Sequence, residues 1–308
     1  MSSQSRKLRL GTRASALARW QAEWVAARLG ERGVAVELVP ITTQGDVKTG
    51  PLGQIGGQGL FTKELQRALL ENQIDLAVHS LKDLPTAPAE GLTIAAVPER
   101  ESTADVLISS KANSLESLPP AARIGTGSLR RKSQLLHLRS DFVVEDIRGN
   151  VETRVRKLDE GQFDAIVLAE AGLKRLGLAR RIACLIPQTR MLPAVGQGAL
   201  AIEARSDDTA THAVLAPLDD FETHQSVLAE RTLLFELRAG CLAPVGALGR
   251  VSGGRLVLDA VVLSPDGQRR LTANGSMDVA AAVTLGQQVA AELLQQGAAD
   301  LIAASRAN

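Results

Sequence analysis

The stretch Ile74-Asp75-Leu76-Ala77-Val78-His79-Ser80-Leu81-Lys82-Asp83-Leu84-Pro85 places a lysine and a carboxylate just beyond an apolar run. A strand that buries Leu76 and Val78 delivers the polar residues after it to the edge of a sheet, where α/β proteins build their sites. Asp83 is therefore a candidate catalytic acid. Taken alone, an aspartate at this position more commonly caps a turn before Pro85, so the choice depends on the rest of the chain.

Strand-like and helix-like runs alternate from Lys7 to about Leu200, a pattern typical of parallel sheets covered by helices. The apolar pattern lapses into charged residues around 98–103, and a second series of strands and helices follows. A long helix over Glu222–Arg238 then precedes two strands and a closing helix. The sequence predicts an α/β fold class, with two α/β domains and a small C-terminal α+β domain.

Within the first domain, the spacing predicts a strand at Leu8–Gly11 and a helix from Ser15. We expect Trp20 and Trp24 of this helix to lie in the core. The segment Gly45–Gly59 holds six glycines among few apolar residues. Such a segment is typical of a mobile loop that covers a site.

Arginine dominates the basic residues, with 27 arginines against 8 lysines and a formal net charge of +1. Its planar fork grips carboxylate and phosphate bidentately, so the bias favours small anionic ligands. A nucleic-acid partner is disfavoured, because such proteins carry a strong basic excess and often stacking aromatics. Here aromatic residues make up 2% of the chain and tyrosine is absent.

Residues 1–9 contain no stretch like a signal peptide, and no window approaches the ~18 apolar residues of a membrane span. The sequence therefore predicts a cytoplasmic protein with no membrane partner. Cys184 and Cys241 form neither a disulfide framework nor a Cys-x-x-Cys site, and no metal site is predicted. Cys184 lies in an apolar run and is expected to be buried, whereas the short loop around Cys241 suits either a structural or a reactive thiol.

The segment Gly125-Thr126-Gly127-Ser128-Leu129-Arg130-Arg131 follows a predicted strand and opens a predicted helix over Leu129–Leu138. Backbone N–H groups and two hydroxyls would face an anion bound there. Two arginines in a first helical turn interact unfavourably with the helix dipole, by about 0.3–1 kcal/mol each. A bound anion would explain why both occur there. The alternative is that both arginines are exposed to water.

A second segment, Arg148-Gly149-Asn150-Val151-Glu152-Thr153-Arg154, has the same geometry, with Asn150 as a possible cap of the next helix. Arg148 and Arg154 could then face the same cleft. Arg13, directly after the first strand, and Arg175 extend the pattern. Each is individually an ordinary surface arginine, but several of them follow the carboxyl ends of predicted strands, which predicts an anionic ligand.

Together these segments resemble the porphobilinogen deaminase family, also called the hydroxymethylbilane synthases, through essentially the whole chain. The residues that carry the resemblance are Gly11-Thr12-Arg13 with Ser15, residues 59–65, 78–85, 125–131, 148–154 and 192–198, and Gly240-Cys241 with Pro244.

The resemblance implies two domains similar to type II periplasmic binding proteins, with the active cleft between them, and a third domain that carries the cofactor. We expect domain 1 at residues 1–99 with 199–217, domain 2 at 104–194 and domain 3 at 222–308. In this family a cysteine matching Cys241 holds a dipyrromethane cofactor by a thioether. Four porphobilinogen molecules are joined head to tail with loss of ammonia, and hydrolysis frees linear hydroxymethylbilane for tetrapyrrole synthesis. The family also implies a monomer.

The resemblance assigns catalysis to Asp83, because loss of ammonia from an aminomethylpyrrole leaves a cation that needs a nearby carboxylate. Each pyrrole carries an acetate and a propionate, which arginine can hold. The expected cofactor contacts are Cys241, Lys82, Ser80, Thr126, Ser128, Arg130, Arg131 and Arg154. The expected substrate contacts are Arg13, Ser15, Arg148, Arg154, Arg175, Gln21 and Gln197.

The glycine-rich segment departs from the family pattern. Most relatives have lysine where this chain has Gln58, and often another lysine at Gln54. Glutamine can donate a hydrogen bond, but salt-sensitive attraction to carboxylates should be weaker here. Neither residue is expected to be an assured ligand.

Two other functions compete with this interpretation. A dinucleotide site would use Gly125-x-Gly127 after a strand and Glu145 about twenty residues on, but Arg130 stands where the third glycine should permit close packing. A non-catalytic solute-binding protein would also have two α/β lobes with arginines. Asp83 and Cys241 are the residues that discriminate against it.

Overall fold

The computed structural model describes residues 7–42, 62–240 and 243–306. The chain divides into two compact units, unit 1 with residues 1–100 and 199–224, and unit 2 with residues 101–198 and 225–308.

Unit 1 is built on a five-stranded sheet. Its strands are β1 (Leu8–Thr12), β2 (Val36–Pro40), β3 (Leu76–Ser80), β4 (Leu92–Ala96) and β10 (Leu200–Arg205), and its helices are α1 (Ala16–Gly30), α2 (Lys63–Leu70) and α6 (Thr209–Leu215). The strand order is β2-β1-β3-β10-β4. Strand β1 is parallel to β2 and β3, whereas β10 runs antiparallel to β3 and β4.

Helix α1 begins as predicted, with Ser15 as its N-cap; the Ser15 Oγ accepts a hydrogen bond from the Ala18 N–H at 3.3 Å. Its buried apolar residues are Ala22, Val25 and Leu29. Trp20 and Trp24, both expected in the core, are only partly buried, and Trp24 packs against the edge of the core cluster. The smaller residues at three- and four-residue spacing form the face that meets the sheet.

Unit 2 contains a second five-stranded sheet. Its strands are β5 (Asp105–Ile108), β6 (Arg123–Gly125), β7 (Val143–Glu145), β8 (Ala165–Ala169) and β9 (Cys184–Ile186), and its helices are α3 (Leu129–Leu138), α4 (Val151–Asp159) and α5 (Glu170–Arg175). The order is β7-β6-β8-β5-β9. Strand β6 is parallel to β7 and β8, and β5 is antiparallel to β8 and β9.

The remainder of unit 2 is a three-stranded antiparallel sheet with helices. Its elements are α7 (Phe221–Glu236), which starts in unit 1, then β11 (Val245–Ser252), β12 (Arg255–Leu263), β13 (Arg270–Asp278), α8 (Ala282–Gln295) and α9 (Ala298–Ala304). A single apolar cluster unites these strands and helices, with Leu233, Leu258 and Val289 completely buried. The turn between β12 and β13 packs on α3, where the His137 Nδ1–H donates to Gly267 O at 2.9 Å.

The predicted α/β class, with two α/β sheets and a small C-terminal α+β part, is confirmed. The expectation of parallel sheets is wrong in part, because each five-stranded sheet includes antiparallel pairs made by β10 or β5. Strand direction depends on where the chain re-enters the sheet, which periodicity does not report. Within the described residues, no helix is both long and apolar enough to cross a bilayer.

Candidate active site

In unit 1 the site is built at the carboxyl ends of β1 and β3. The two strands are parallel neighbours, so the residues that follow them lie at one edge of the sheet. The predicted residues placed on or beside these strand ends are Arg13, Ser15, Gln21, Ser80, Lys82 and Asp83.

Asp83 ends a short 3-10 turn over Leu81–Asp83 that directly follows β3. Leu81 and Leu84 are buried on either side of it, and the Leu84 N–H donates to Leu81 O at 3.1 Å. The Asp83 side chain is exposed, and within the described residues no group donates to its carboxylate. The turn is therefore held by apolar anchors and backbone, and Asp83 is not its cap. The carboxylate is available to a ligand.

Gln21 and Ser80 form a polar contact beneath this turn. Gln21 is buried in α1, and its Nε2 donates to Ser80 Oγ at 2.8 Å. The pair ties α1 to the last residue of β3. The amide thereby restricts the Ser80 hydroxyl, while the ligand roles of both residues stay predictions.

A second buried polar cluster links β3 to β10 and α2. His79 Nε2 lies 2.9 Å from Glu203 Oε2, with both side chains almost fully buried. The Gln66 Nε2 donates to Glu203 Oε1 at 2.9 Å. Glu203 therefore connects β10 to both β3 and α2. Sequence reasoning did not identify it, because its partner lies 124 positions away in the chain.

In unit 2 the segment predicted to cradle an anion lies at the carboxyl end of β6 and leads into α3. The Thr126 N–H donates to Glu145 O at 2.9 Å, and Ser128 caps α3 by accepting from the Arg131 N–H at 3.5 Å. A Cβ on Gly127 would lie 3.1 Å from Ile147 O. The cradle therefore packs tightly against the end of the neighbouring strand. The predicted start of α3 at Leu129 is confirmed.

The two arginines of this helix are not exposed to water, so that alternative is wrong. Arg130 is 3% exposed and Arg131 5%. Both bind the carboxylate of Asp105, the first residue of β5. Arg130 Nη1 donates to Asp105 Oδ2 at 2.7 Å, and Arg131 donates to Asp105 Oδ1 from Nε at 3.0 Å and from Nη2 at 2.8 Å.

The two guanidinium groups are used differently. Arg131 donates from Nε and Nη2 to Asp105 and from Nη1 to Val167 O at 3.0 Å. Arg130 makes its bonds to described residues from Nη1 alone, to Asp105 and to Leu192 O at 2.7 Å. Its Nε is buried with no acceptor. One N–H at Nε and one at Nη2 lie side by side on the edge opposite Nη1, which is the geometry that binds a carboxylate bidentately.

The electrostatics of this cluster favour an anion. Two guanidinium groups and one carboxylate carry a net charge of +1 in a buried place, where an uncompensated charge is costly. Burial lowers the pKa of Arg130, and Asp105 opposes that change. Burial also disfavours the charged form of Asp105, but the two guanidinium groups outweigh it and hold the pKa of Asp105 well below its ordinary value. The two arginines therefore favour the ionised form of Asp105.

Gln197 belongs to the same cluster. It is completely buried, and its Nε2 donates to Asp105 Oδ1 at 2.9 Å and to Thr103 O at 2.7 Å. Sequence reasoning singled out Gln197 but missed Asp105. The available signal was an acidic residue at the start of a four-residue apolar strand, near two arginines that needed a counter-charge.

The other predicted arginines of unit 2 have their own partners. Arg148 Nε donates to Asp146 Oδ2 at 2.6 Å, and Arg154 Nε donates to Gly149 O at 2.8 Å. Arg175 Nη2 donates to Gly198 O at 2.7 Å. Burial lowers the pKa of Arg175 to about 10, and Glu101 opposes this change. Ligand contacts for these three residues stay predictions.

Three residues on which sequence predictions depend, Cys241, Gln54 and Gln58, lie outside the described residues. Cys184 is partly buried on β9, and burial raises the pKa of its thiol. Among the described residues, no three His, Cys, Asp or Glu side chains are grouped so that they could hold a metal ion. The dipyrromethane carboxylates expected from the sequence would supply an acceptor for the unfilled Nε of Arg130, so the residues present fit that cofactor.

Comparison with known proteins extends the resemblance over nearly the whole chain. Residues 8–213 match the family model described as porphobilinogen deaminase, dipyromethane cofactor binding domain, and residues 224–295 match the model of the porphobilinogen deaminase C-terminal domain. The porphobilinogen deaminase of Acidithiobacillus ferrooxidans is 51% identical over 300 residues, which cover 96% of this chain and 97% of that protein.

The porphobilinogen deaminase of Desulforudis audaxviator is 52% identical over 305 residues, covering 98% of this chain and 99% of that protein. Among solved structures, the methionine-binding protein MetQ is similar at 16% identity with a TM-score of 0.45, covering 74% of this chain and 95% of that one. The family assignment follows from the sequence matches. The chain belongs to the porphobilinogen deaminase family.

Proposed function

We propose that this chain performs its family's reaction through Asp83 in unit 1 and the arginine cluster in unit 2. It joins four porphobilinogen molecules head to tail into hydroxymethylbilane, with release of ammonia, on a dipyrromethane cofactor bound to Cys241. The structural observation that carries the proposal is the buried Arg130, with its Nε lacking an acceptor in a cluster of net positive charge. Carboxylate-bearing pyrroles supply the anion that this cluster needs.

A bound dipyrromethane would supply the pyrrole carbon to which the first unit is joined, and each later unit would be joined to the last pyrrole added. The chain's own contribution is to hold carboxylates and to manage charge. Arg130 is proposed to bind a carboxylate through its unfilled Nε, and the positive end of the α3 dipole adds to this attraction. Thr126 and Ser128 offer hydroxyls beside it. Arg148, Arg154 and Arg175 are proposed to bind further carboxylates of the growing chain.

Asp83 is proposed to act where ammonia leaves. When porphobilinogen loses its amino group as ammonia, the aminomethyl carbon is left in a delocalised cation. An exposed carboxylate at the end of β3 stabilises that cation and accepts the proton that the attacking pyrrole carbon must lose. Lys82, Ser80, Gln21, Arg13 and Ser15 are proposed to position the substrate beside it.

Intact mass measurement tests the attachment site. The purified chain should exceed its polypeptide mass by two pyrrole units, because the thioether survives purification. A Cys241→Ser variant should lack the excess, and a matched Cys184→Ser variant should keep it. The same excess on Cys241→Ser would contradict the assignment of Cys241.

Steady-state turnover of porphobilinogen tests Asp83 and separates an enzyme from a solute-binding protein. Asp83→Asn keeps the size of the side chain and removes its charge, so we expect a loss of rate of at least ~100-fold with folding intact. Asp207→Asn, at an exposed position in the same unit, should turn over at the parental rate. An Asp83→Asn protein near the parental rate would exclude the proton-transfer role.

The remaining assignments are also proposals. We propose that the protein is a cytoplasmic monomer with no membrane or nucleic-acid partner, and light scattering should therefore give a mass near 32.5 kDa. We propose three domains, at residues 1–99 with 199–217, at 104–194 and at 222–308. The described strands support these bounds, since each of the three sheets draws its strands from one of them.

A further inference from the structure

Asp105 binds both arginines of the cradle through separate oxygens. Its side chain is completely buried at the start of β5. Oδ2 accepts from Arg130 Nη1 at 2.7 Å, and Oδ1 accepts from Arg131 Nε and Nη2 and from Gln197 Nε2. Four donors on three side chains thus converge on one carboxylate, which has no freedom to reorient.

This arrangement fixes the direction in which Arg130 can act. Asp105 and Leu192 O both take Nη1, which pins that end of the guanidinium group. A planar guanidinium group held at Nη1 has its Nε and Nη2 edge fixed in space. Without Asp105, Arg130 would keep only the carbonyl of Leu192, and the carboxylate that separates it from Arg131 would be gone.

We propose that Asp105 is a positioning residue for the bound cofactor: it holds Arg130 so that its Nε stays without a protein acceptor and can donate to one carboxylate, and it leaves the arginine pair with a single uncompensated positive charge. The proposal rests on the proposed function. Asp105 touches no ligand in this scheme and acts through Arg130. Gln197 and Arg131 in turn donate to Asp105 Oδ1, so Arg131 supports the site by holding Asp105 in place.

A buried ion pair that serves folding alone would look similar, so the test must detect action through Arg130. Apoprotein is prepared from a host that supplies no porphobilinogen, and the rate at which it gains the mass of two pyrrole units is measured after porphobilinogen is added. The set comprises the parent, Asp105→Asn, Arg130→Gln and the double variant. Asp159→Asn, which alters an exposed ion pair with Arg181 in the same unit, is the matched control. Urea unfolding of each apoprotein reports its folding separately from mass gain.

We expect Asp105→Asn to gain cofactor about 10- to 100-fold more slowly than the parent, as is typical when a group that orients a ligand-binding side chain is removed. Arg130→Gln should be slowed at least as much. The double variant should be no slower than Arg130→Gln, because the effect of Asp105 passes through Arg130. Asp159→Asn should match the parent.

Two results would overturn the proposal while leaving the proposed function intact. One is an Asp105→Asn apoprotein that gains mass at the parental rate. The other is a double variant in which the two effects multiply, since Asp105 would then act independently of Arg130. If the parent itself gains no mass, the proposed function fails instead.

If Asp105→Asn does not fold, Gln197→Met takes its place in the same set. This change removes the hydrogen bonds from Gln197 to Asp105 Oδ1 and to Thr103 O, and it keeps both ion pairs and the side-chain volume. It should slow mass gain in the parental background and have no effect in the Arg130→Gln background. Equal slowing in both backgrounds, or none in either, would contradict the positioning role.

Discussion

Arg130 and Arg131 follow one another in the chain, yet their surroundings give them different tasks. Each of the three side-chain nitrogens of Arg131 donates to Asp105 or to Val167 O, whereas the Nε of Arg130 is buried without an acceptor. The free-energy cost of burying two positive charges side by side is offset by Asp105, which forms an ion pair with each of them. Residue type alone therefore does not separate the two arginines; we propose that Arg130 binds the ligand because it has a donor nitrogen left unfilled.

The depressed pKa of Asp105 leads to a pH-dependent difference in stability. Because the folded-state pKa lies below the unfolded one, the stabilisation is present at neutral pH and is lost as the pH falls below about 4, where the unfolded chain binds the proton first. Asp105→Asn should be less stable than the parent by about 3–5 kcal/mol at pH 6, since it leaves two buried arginines uncompensated. Its deficit should shrink towards pH 3, as measured by urea unfolding.

A matched comparison for this pH effect is Asp159→Asn, which alters an exposed pair with Arg181. Its deficit should stay below about 1 kcal/mol at both pH values. A deficit of Asp105→Asn that is the same at pH 6 and pH 3 would show that Asp105 is not the group responsible for acid sensitivity.

At the scale of elements, α3 serves two neighbours at once. Its first turn carries the cradle, and its last turns receive the hairpin between β12 and β13. Gly267 lies in that hairpin with a φ of +74°, and a Cβ there would come within 2.6 Å of Ser133 O and of the His137 backbone nitrogen. Only glycine can make this approach, so the hairpin docks by backbone contact.

Gly267→Ala should therefore destabilise the protein more than a matched glycine change. Gly254 has a nearly identical φ of +75° but has open space where its Cβ would lie. Gly254→Ala should cost about 1–2 kcal/mol from the left-handed backbone alone. Gly267→Ala should cost about 1–3 kcal/mol more, from the clash with α3. Urea unfolding measures both, and equal losses would mean that the hairpin does not pack on α3 in solution.

At the scale of the whole molecule, the arginine excess is balanced by internal acidic partners. Arg9 and Arg205 share the buried Asp75, as Arg130 and Arg131 share Asp105. The net charge is only +1. We therefore expect little long-range positive field, so that the proposed recognition of carboxylates acts at short range.

The salt dependence of turnover should accordingly be weak. Raising NaCl from about 0.05 M to about 0.5 M should lower kcat/KM for porphobilinogen by less than about threefold. The reason is that a protein with so small a net charge attracts its anionic substrate only weakly over long distances. Gln58→Lys, which restores the positive charge usual in the family, should increase the salt dependence. A drop above about tenfold in the parent would contradict short-range recognition.

The amino-acid sequence by itself determined the α/β class, the bounds of α3, the Asn150 cap, and the position of Asp83 just after β3. These features depend on neighbours within a few positions, which periodicity and cap residues report directly. The family resemblance rests on short segments of the same kind, each of which can be recognised without the tertiary structure.

Only the tertiary structure decided the antiparallel entry of β10, the pairing of His79 with Glu203, and the convergence of Arg130, Arg131 and Gln197 on Asp105. Asp105 lies 25 positions before Arg130 and 92 before Gln197. Whether a charged side chain is exposed, paired or left with an unfilled donor depends on which strands become neighbours. That is a property of the assembled sheet, and no local pattern in the chain encodes it.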